Sequence, residues 1–122
     1  MNLQTTEISA NSALMGMGFV YTTHNEGNIN VSGTSLQGYV EVSFERLVAM
    51  FGKPHESDGY KVDAEWDIRL GDGTIATIYN WKNGTNYCGH EGLPASQMID
   101  WHVGGFNRDV VFKVQQLLGM DI

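Results

Sequence analysis

The stretch from residue 62 to residue 82, VDAEWDIRLGDGTIATIYNWK, constrains this chain more than any other. Two alternating runs flank Asp72-Gly73, the strongest short-range hairpin signal. A two-residue type I′ loop at Asp72-Gly73 would pair Leu70 with Ile75, Ile68 with Thr77, Trp66 with Tyr79 and Ala64 with Trp81. That register gathers Ala64, Trp66, Ile68, Leu70, Ile75, Tyr79 and Trp81 on one face. It leaves Asp63, Glu65, Asp67 and Arg69 on the other. A slip of one residue, to a Gly71-Asp72-Gly73 loop, would put Ala76, Ile78 and Asn80 with the tryptophan and split the apolar set. Side chains alternate with period two, so the pattern favours the first register. Trp66 and Trp81 are then core residues, and function falls to the outer acidic row.

The rest of the chain supplies partners for that hairpin. Ser43 is a good N-cap, and Glu45 lies in the first turn, where the helix dipole favours an acid. Phe44, Leu47, Val48 and Phe51 recur at helical spacing, and Gly52 and Pro54 end the run. The expectation is a helix over 43–51. Residues 107–118 predict a second helix, capped by Asn107, with Val110, Val111, Val114, Leu117 and Leu118 on one face. Short strands are expected at Phe19–Thr22, Tyr39–Val42 and Met98–Val103, the last broken by Gly104-Gly105. Residues 83–94 form a long Gly- and Asn-rich loop, and such loops are functional or mobile more often than not. The predicted class is α+β: a small antiparallel sheet around hairpin 62–82, with helices 43–51 and 107–118 packed on one face. Residues 1–18 read as a flexible arm and 19–122 as one domain.

Charge and cysteine usage narrow the function classes. Fourteen acidic residues against seven basic ones give a net charge of −7. This argues against nucleic acid as a direct partner, because phosphate binding needs a basic footprint. Cys88 is the only cysteine, so no intrachain disulfide can form, which fits a reducing compartment. No basic n-region or sustained apolar core marks the N-terminus, and no apolar run reaches membrane-spanning length. The expectation is a cytoplasmic protein with no membrane contact.

Several motifs resemble a known group when taken together. Phe51-Gly52-Lys53-Pro54, then Trp66-Asp67-Ile68, then Asp72 to Lys82 (DGTIATIYNWK), then Trp101-His102-Val103-Gly104-Gly105 are similar to a family of small proteins encoded by tailed bacteriophages. The resemblance covers about residues 34–118. The family brings no activity with it. It implies a setting: a phage protein in the cytoplasm of an infected bacterium. A helix ending in Phe-Gly-x-Pro, followed by a Trp-bearing strand and a hairpin, is also similar to beta-lactamase-inhibitor-like and BamE-like modules, which are mostly binding domains.

Candidate chemistry is sparse. Cys88, His90 and His102 could gather around zinc, but their spacing matches no standard zinc signature. Asp100 and His102 share one face of a strand, as an acid–base pair would, without any visible cleft. Gly104-Gly105 before a helix could cradle a phosphate, with Trp81 or Trp101 stacking, Lys82 or Arg108 as the cation and His102 and Asn107 alongside, yet it lacks a GxGxxG or Walker pattern. Asp63, Glu65 and Asp67, stepped at about 7 Å, approximate a phosphate row, but a solvated sheet face explains them as well. No catalytic residue, metal ligand or cofactor signature emerges. The leading expectation is a phage accessory protein that binds a host or defence-system protein. Its surface would be Asp63, Glu65 and Asp67 with Asn86, Tyr87, His90 and Glu91 of the long loop. Alternatives are nucleotide-type ligand capture at Trp101 to Arg108, a small hydrolase or metal protein using His90, His102 and Cys88, or a virion component, and an exposed strand edge could pair with a second copy.

Overall fold

The computed structural model describes residues 20–55, 64–81 and 94–119. In chain order the elements are β1 (Tyr21–Thr23), β2 (Ser35–Glu41), α1 (Phe44–Phe51), β3 (Glu65–Leu70), β4 (Ile75–Tyr79), a 3-10 turn (Ala95–Gln97), β5 (Asp100–Gly105) and α2 (Asp109–Leu117). The strands form one antiparallel sheet in the order β1-β3-β4-β5-β2. The α+β expectation holds. The arm 1–18 lies outside the described residues.

The β3–β4 hairpin forms, but in the register that the apolar count argued against. Arg69 faces Ile75, Ile68 faces Ala76 and Trp66 faces Ile78. The loop is the three-residue Gly71-Asp72-Gly73. The Leu70 amide donates to the Thr74 carbonyl (2.8 Å) and the Gly73 amide to the Leu70 carbonyl (2.9 Å). Gly73 sits at φ +90°. A type I′ loop asks a left-handed backbone of both central residues, Asp72 included, whereas the three-residue loop asks it of one glycine. Asp72 instead folds its Oδ1 onto the Thr74 amide (2.9 Å). Its other oxygen takes Lys113 Nζ of α2 at 2.8 Å. The hydrogen bonds from Lys113 and Thr74 hold the Asp72 carboxyl well below the usual carboxylate range.

This register buries Ala64, Trp66, Ile68, Leu70, Ala76 and Ile78, together with Asn80. Asn80 was the misfit in the sequence argument. Its Oδ1 accepts the Ala64 amide at 3.0 Å, so its burial carries no unpaired carbonyl. Ile75, Tyr79 and Trp81 move to the opposite face, and Trp81 is 43 % exposed rather than a core residue.

Both helices cover the Trp66 side of the sheet and share one apolar cluster. Ser43 Oγ accepts the Arg46 amide (3.1 Å) at the start of α1, which ends at Gly52, φ +83°. Phe51 and Leu47 are buried there, while Val48 is partly exposed. The Trp66 indole donates to the Gly52 carbonyl (2.8 Å) and meets the Trp101 ring edge-on at 5.4 Å. Aromatic pairs favour this geometry. Asn107 Oδ1 accepts the Asp109 amide (3.0 Å), so Asn107 does shape the entry to α2, although the helix begins two residues later than predicted. Val110, Val114 and Leu117 turn inward.

Two further boundaries differ from expectation. β2 starts at Ser35 and carries a bulge between Leu36 and Gly38. β5 runs through Gly104-Gly105 instead of breaking there. A Cβ on Gly105 would lie 2.8 Å from Val110 Cγ1, so this glycine lets α2 close on the sheet.

Candidate functional site

The sheet face opposite the helices holds the chemically distinctive residues, and the strand register arranges them in rows. One row runs His55, Glu65, Tyr79, His102, Tyr39. The next runs Asp67, Thr77, Gly104, Leu36. Among the described residues no helix lies over this face.

The first row is aromatic toward its β2 end. His102 is flanked edge-on by Tyr39 (5.0 Å, 83°) and Tyr79 (5.3 Å, 81°). Tyr39 is 60 % exposed, and Tyr79 and His102 are half-buried. Burial holds the His102 pKa below the ordinary imidazole value. Burial, then the nearby Glu65 carboxylate and Tyr39, raise the Tyr79 hydroxyl above its usual range. Tyr39, His102 and Tyr79 thus form an aromatic ridge in which burial favours the uncharged forms of His102 and Tyr79.

Beside the ridge lies a shallow depression of about 250 Å³. Glu65, Tyr79 and Trp81, Val31, Thr34 and Ser35, and the buried Thr77 and Gly104 line it. Gly104 has to be glycine here, because a Cβ would come within 2.4 Å of Thr77 Oγ1.

A third feature was not anticipated. Asp67 is only 6 % exposed, and its Oδ2 lies 2.9 Å from His55 Nε2. Its own amide donates to His24 Nδ1 (3.3 Å), while His24 Nε2 donates to the Lys53 carbonyl (2.8 Å). The two imidazoles stack with centroids 3.8 Å apart. With these partners the His24 ring proton lies on Nε2. Asp67 Oδ1 is buried, with no donor among the described residues. His24 and Asp67 stand forty-three positions apart, so no local pattern could reveal the pairing.

The expected sites fare unevenly. Asp63 lies outside the described residues, as do Asn86, Tyr87, Cys88, His90 and Glu91. Asp67 is buried and paired, and Glu65 is half-buried in the depression wall, so neither of these two offers a fully solvated carboxylate. The nucleotide-type set is split. Trp101 is fully buried and has no face to offer a base. Gly105 faces α2, while His102 and Gly104 belong to the open face. Asn107 and Arg108 are exposed at the start of α2. Asp100 and His102 do share the open face, but the His102 shift comes from burial alone, and a partnering carboxylate would push it the other way. Among the described residues no group of three His, Cys, Asp or Glu side chains could hold a metal ion, and no helix is long and apolar enough to cross a membrane. No protein-family model matches the chain, and no curated protein gives a significant match to it.

Proposed function

We propose that this chain is a non-catalytic binding protein that docks a partner protein with a basic surface through the open face of its sheet. The observation that carries this reading is the aromatic ridge Tyr39–His102–Tyr79 with Trp81 beside it, on a face that no described helix covers. Tyr and Trp dominate interface hot spots, and rigid aromatic groups lose little entropy on docking. The charge of the face selects the partner. Glu41 and Asp100 are directly opposed across β2 and β5, both exposed. Like charges directly opposite each other weaken a sheet, and a cationic partner would relieve them. Glu65 adds a further carboxylate, against Arg69. A second copy of this face would bring acid against acid. In the setting that the phage resemblance implies, the partner is a host or defence-system protein, and the chain acts by occupying it.

Affinity capture from bacterial lysate tests the reading with three variants. Tyr39→Ala and Trp81→Ala alter the ridge, and Phe112→Ala alters an exposed residue of α2 as a control. A partner held by the native chain and by Phe112→Ala, but lost with Tyr39→Ala and Trp81→Ala, is the expected result. Retention by both ridge variants, with folding verified by circular dichroism, would overturn it.

A further inference from the structure

We infer that the partner adds an extended strand to the outer edge of β2, antiparallel to it, with a lysine or arginine opposite Glu41 and an apolar residue opposite Tyr39; the inference rests on the open-face reading above. β2 ends the sheet on one side, and among the described residues no strand lies beyond it. The other edge strand, β1, is only three residues long. The Val42 amide donates to the Ile99 carbonyl at 2.7 Å. Bonded and non-bonded pairs alternate along an antiparallel ladder. Val42 and Val40 therefore turn their backbone groups toward β5, while Tyr39 and Glu41 turn theirs away from it. The amides and carbonyls of Tyr39 and Glu41 form a template for one more strand.

The neighbours of that edge set the length and chemistry of the strand. The β2 register shifts between Leu36 and Gly38, and Gln37 Nε2 folds back to donate to the Gly105 carbonyl and to Ser35 Oγ, both at 3.1 Å. A bulge bends the edge there, so the regular template runs from Gly38 to Glu41. Tyr39 and Glu41 are exposed on the open face. An added strand would lengthen their two rows, one beyond Tyr39 and His102, the other beyond Glu41 and Asp100. Directly opposed side chains stand about 4.5–5.5 Å apart at Cβ. A cation there would offset the opposed pair Glu41 and Asp100, and an acid would add a third like charge. Tyr39 and Glu41 are two positions apart, so the partner strand reads basic, any residue, apolar. A second copy would bring to the edge another Glu41 and no Lys or Arg, on a chain of net charge −7.

Fluorescence anisotropy of the full chain with a labelled peptide, Ser-Thr-Lys-Thr-Val-Thr-Ser, tests the inference. In the expected pairing the Lys and Val amides point at β2 and the amide of the Thr between them points away. The expected result is saturable binding that survives N-methylation of that Thr and falls about tenfold or more on N-methylation of Val. Glu in place of the peptide Lys should weaken binding, and Glu41→Lys should reverse that preference. No saturable binding, equal loss from the two methylations, or indifference to the peptide charge would overturn it. So would a dimer in sedimentation that the peptide dissociates, which assigns the edge to a second copy. The capture experiment separates the two readings. If Tyr39→Ala and Trp81→Ala lose a captured partner while no peptide binds, the docking face stands and the added strand falls. If both ridge variants retain the partner, the face fails, and the peptide series judges the edge by itself.

Discussion

Replacing Gly104 by alanine should destabilise the fold through one identifiable contact. The new Cβ would lie 2.4 Å from Thr77 Oγ1, far inside van der Waals contact, with the Ser35 carbonyl and Tyr79 Cε1 next at 3.4 Å. Thr77 is 4 % exposed and pinned in the middle strand between β3 and β5, so it has little room to retreat. Overpacking of this kind costs about 1–3 kcal/mol. Alanine recovers about 0.4–1 kcal/mol of that by restricting the unfolded chain. The positive-φ glycines of the described chain are Gly33, Gly52, Gly73 and Gly119, so backbone strain at Gly104 adds nothing. The expected net loss is about 1–2 kcal/mol, or a fall in Tm of roughly 4–8 °C for a domain of this size. Removing the Thr77 hydroxyl and methyl with Thr77→Ala should make Gly104→Ala neutral or stabilising, a coupling of about 1–2 kcal/mol. Thr77→Val keeps the branch and should not rescue. Urea unfolding of the four members of the cycle, followed by circular dichroism, measures this. Additive losses in the double variant, or a neutral Gly104→Ala in the native background, would refute the packing argument.

Four other expectations follow from the same geometry. Gly73→Ala should cost about 1 kcal/mol in thermal denaturation, purely from its left-handed backbone, since nothing lies within 4 Å of the added Cβ. Gly71→Ala, which meets Val20 only at 3.4 Å, should be nearly neutral. His55→Ala should cost about 1–3 kcal/mol because it strips the buried Asp67 carboxylate of its side-chain donor, and His55→Ala with Asp67→Ala should cost less than the two losses added together. The lowered His102 pKa means the unfolded chain binds its proton more readily than the folded one. This share of stability is therefore complete above about pH 6.5 and is lost as pH falls through the folded value. NMR titration of the His102 ring should give a midpoint below 6.5, and a midpoint above it would contradict the burial argument.

Much of the architecture was legible because it is local. Ser43 and Gly52 mark both ends of α1, and each sits at its expected position. The hairpin's place, the class of the fold and the inward turn of Val110, Val114 and Leu117 follow from spacing alone. The register was not legible, because it turned on two facts that apolar counting ignores. Asp72 is spared a left-handed backbone by the longer loop, and Asn80 is satisfied inside by the Ala64 amide. That single step sent Trp81 and Tyr79 out to the open face. Gly104-Gly105 looked like a strand break because the alternation stops there. In space they are where Thr77 and Val110 press against the strand. The His24–Asp67–His55 cluster and the alignment of Tyr39 with His102 join distant segments, and only the pairing of strands brings them together.

The corrected hairpin register has an evolutionary consequence. Trp66, Ile68 and Ile78 alternate along β3 and β4 with Glu65, Arg69 and Tyr79, which reach solvent. Val40, Trp101 and Val103 alternate likewise with Tyr39 and His102 along the neighbouring strands. The inner letters of this text hold the protein together, and the outer ones meet the world. A lineage can rewrite the exposed outer residues, exchanging one partner for another, while the inner ones and the packed Asp67, Thr77 and Gly104 keep the same sheet under a new surface.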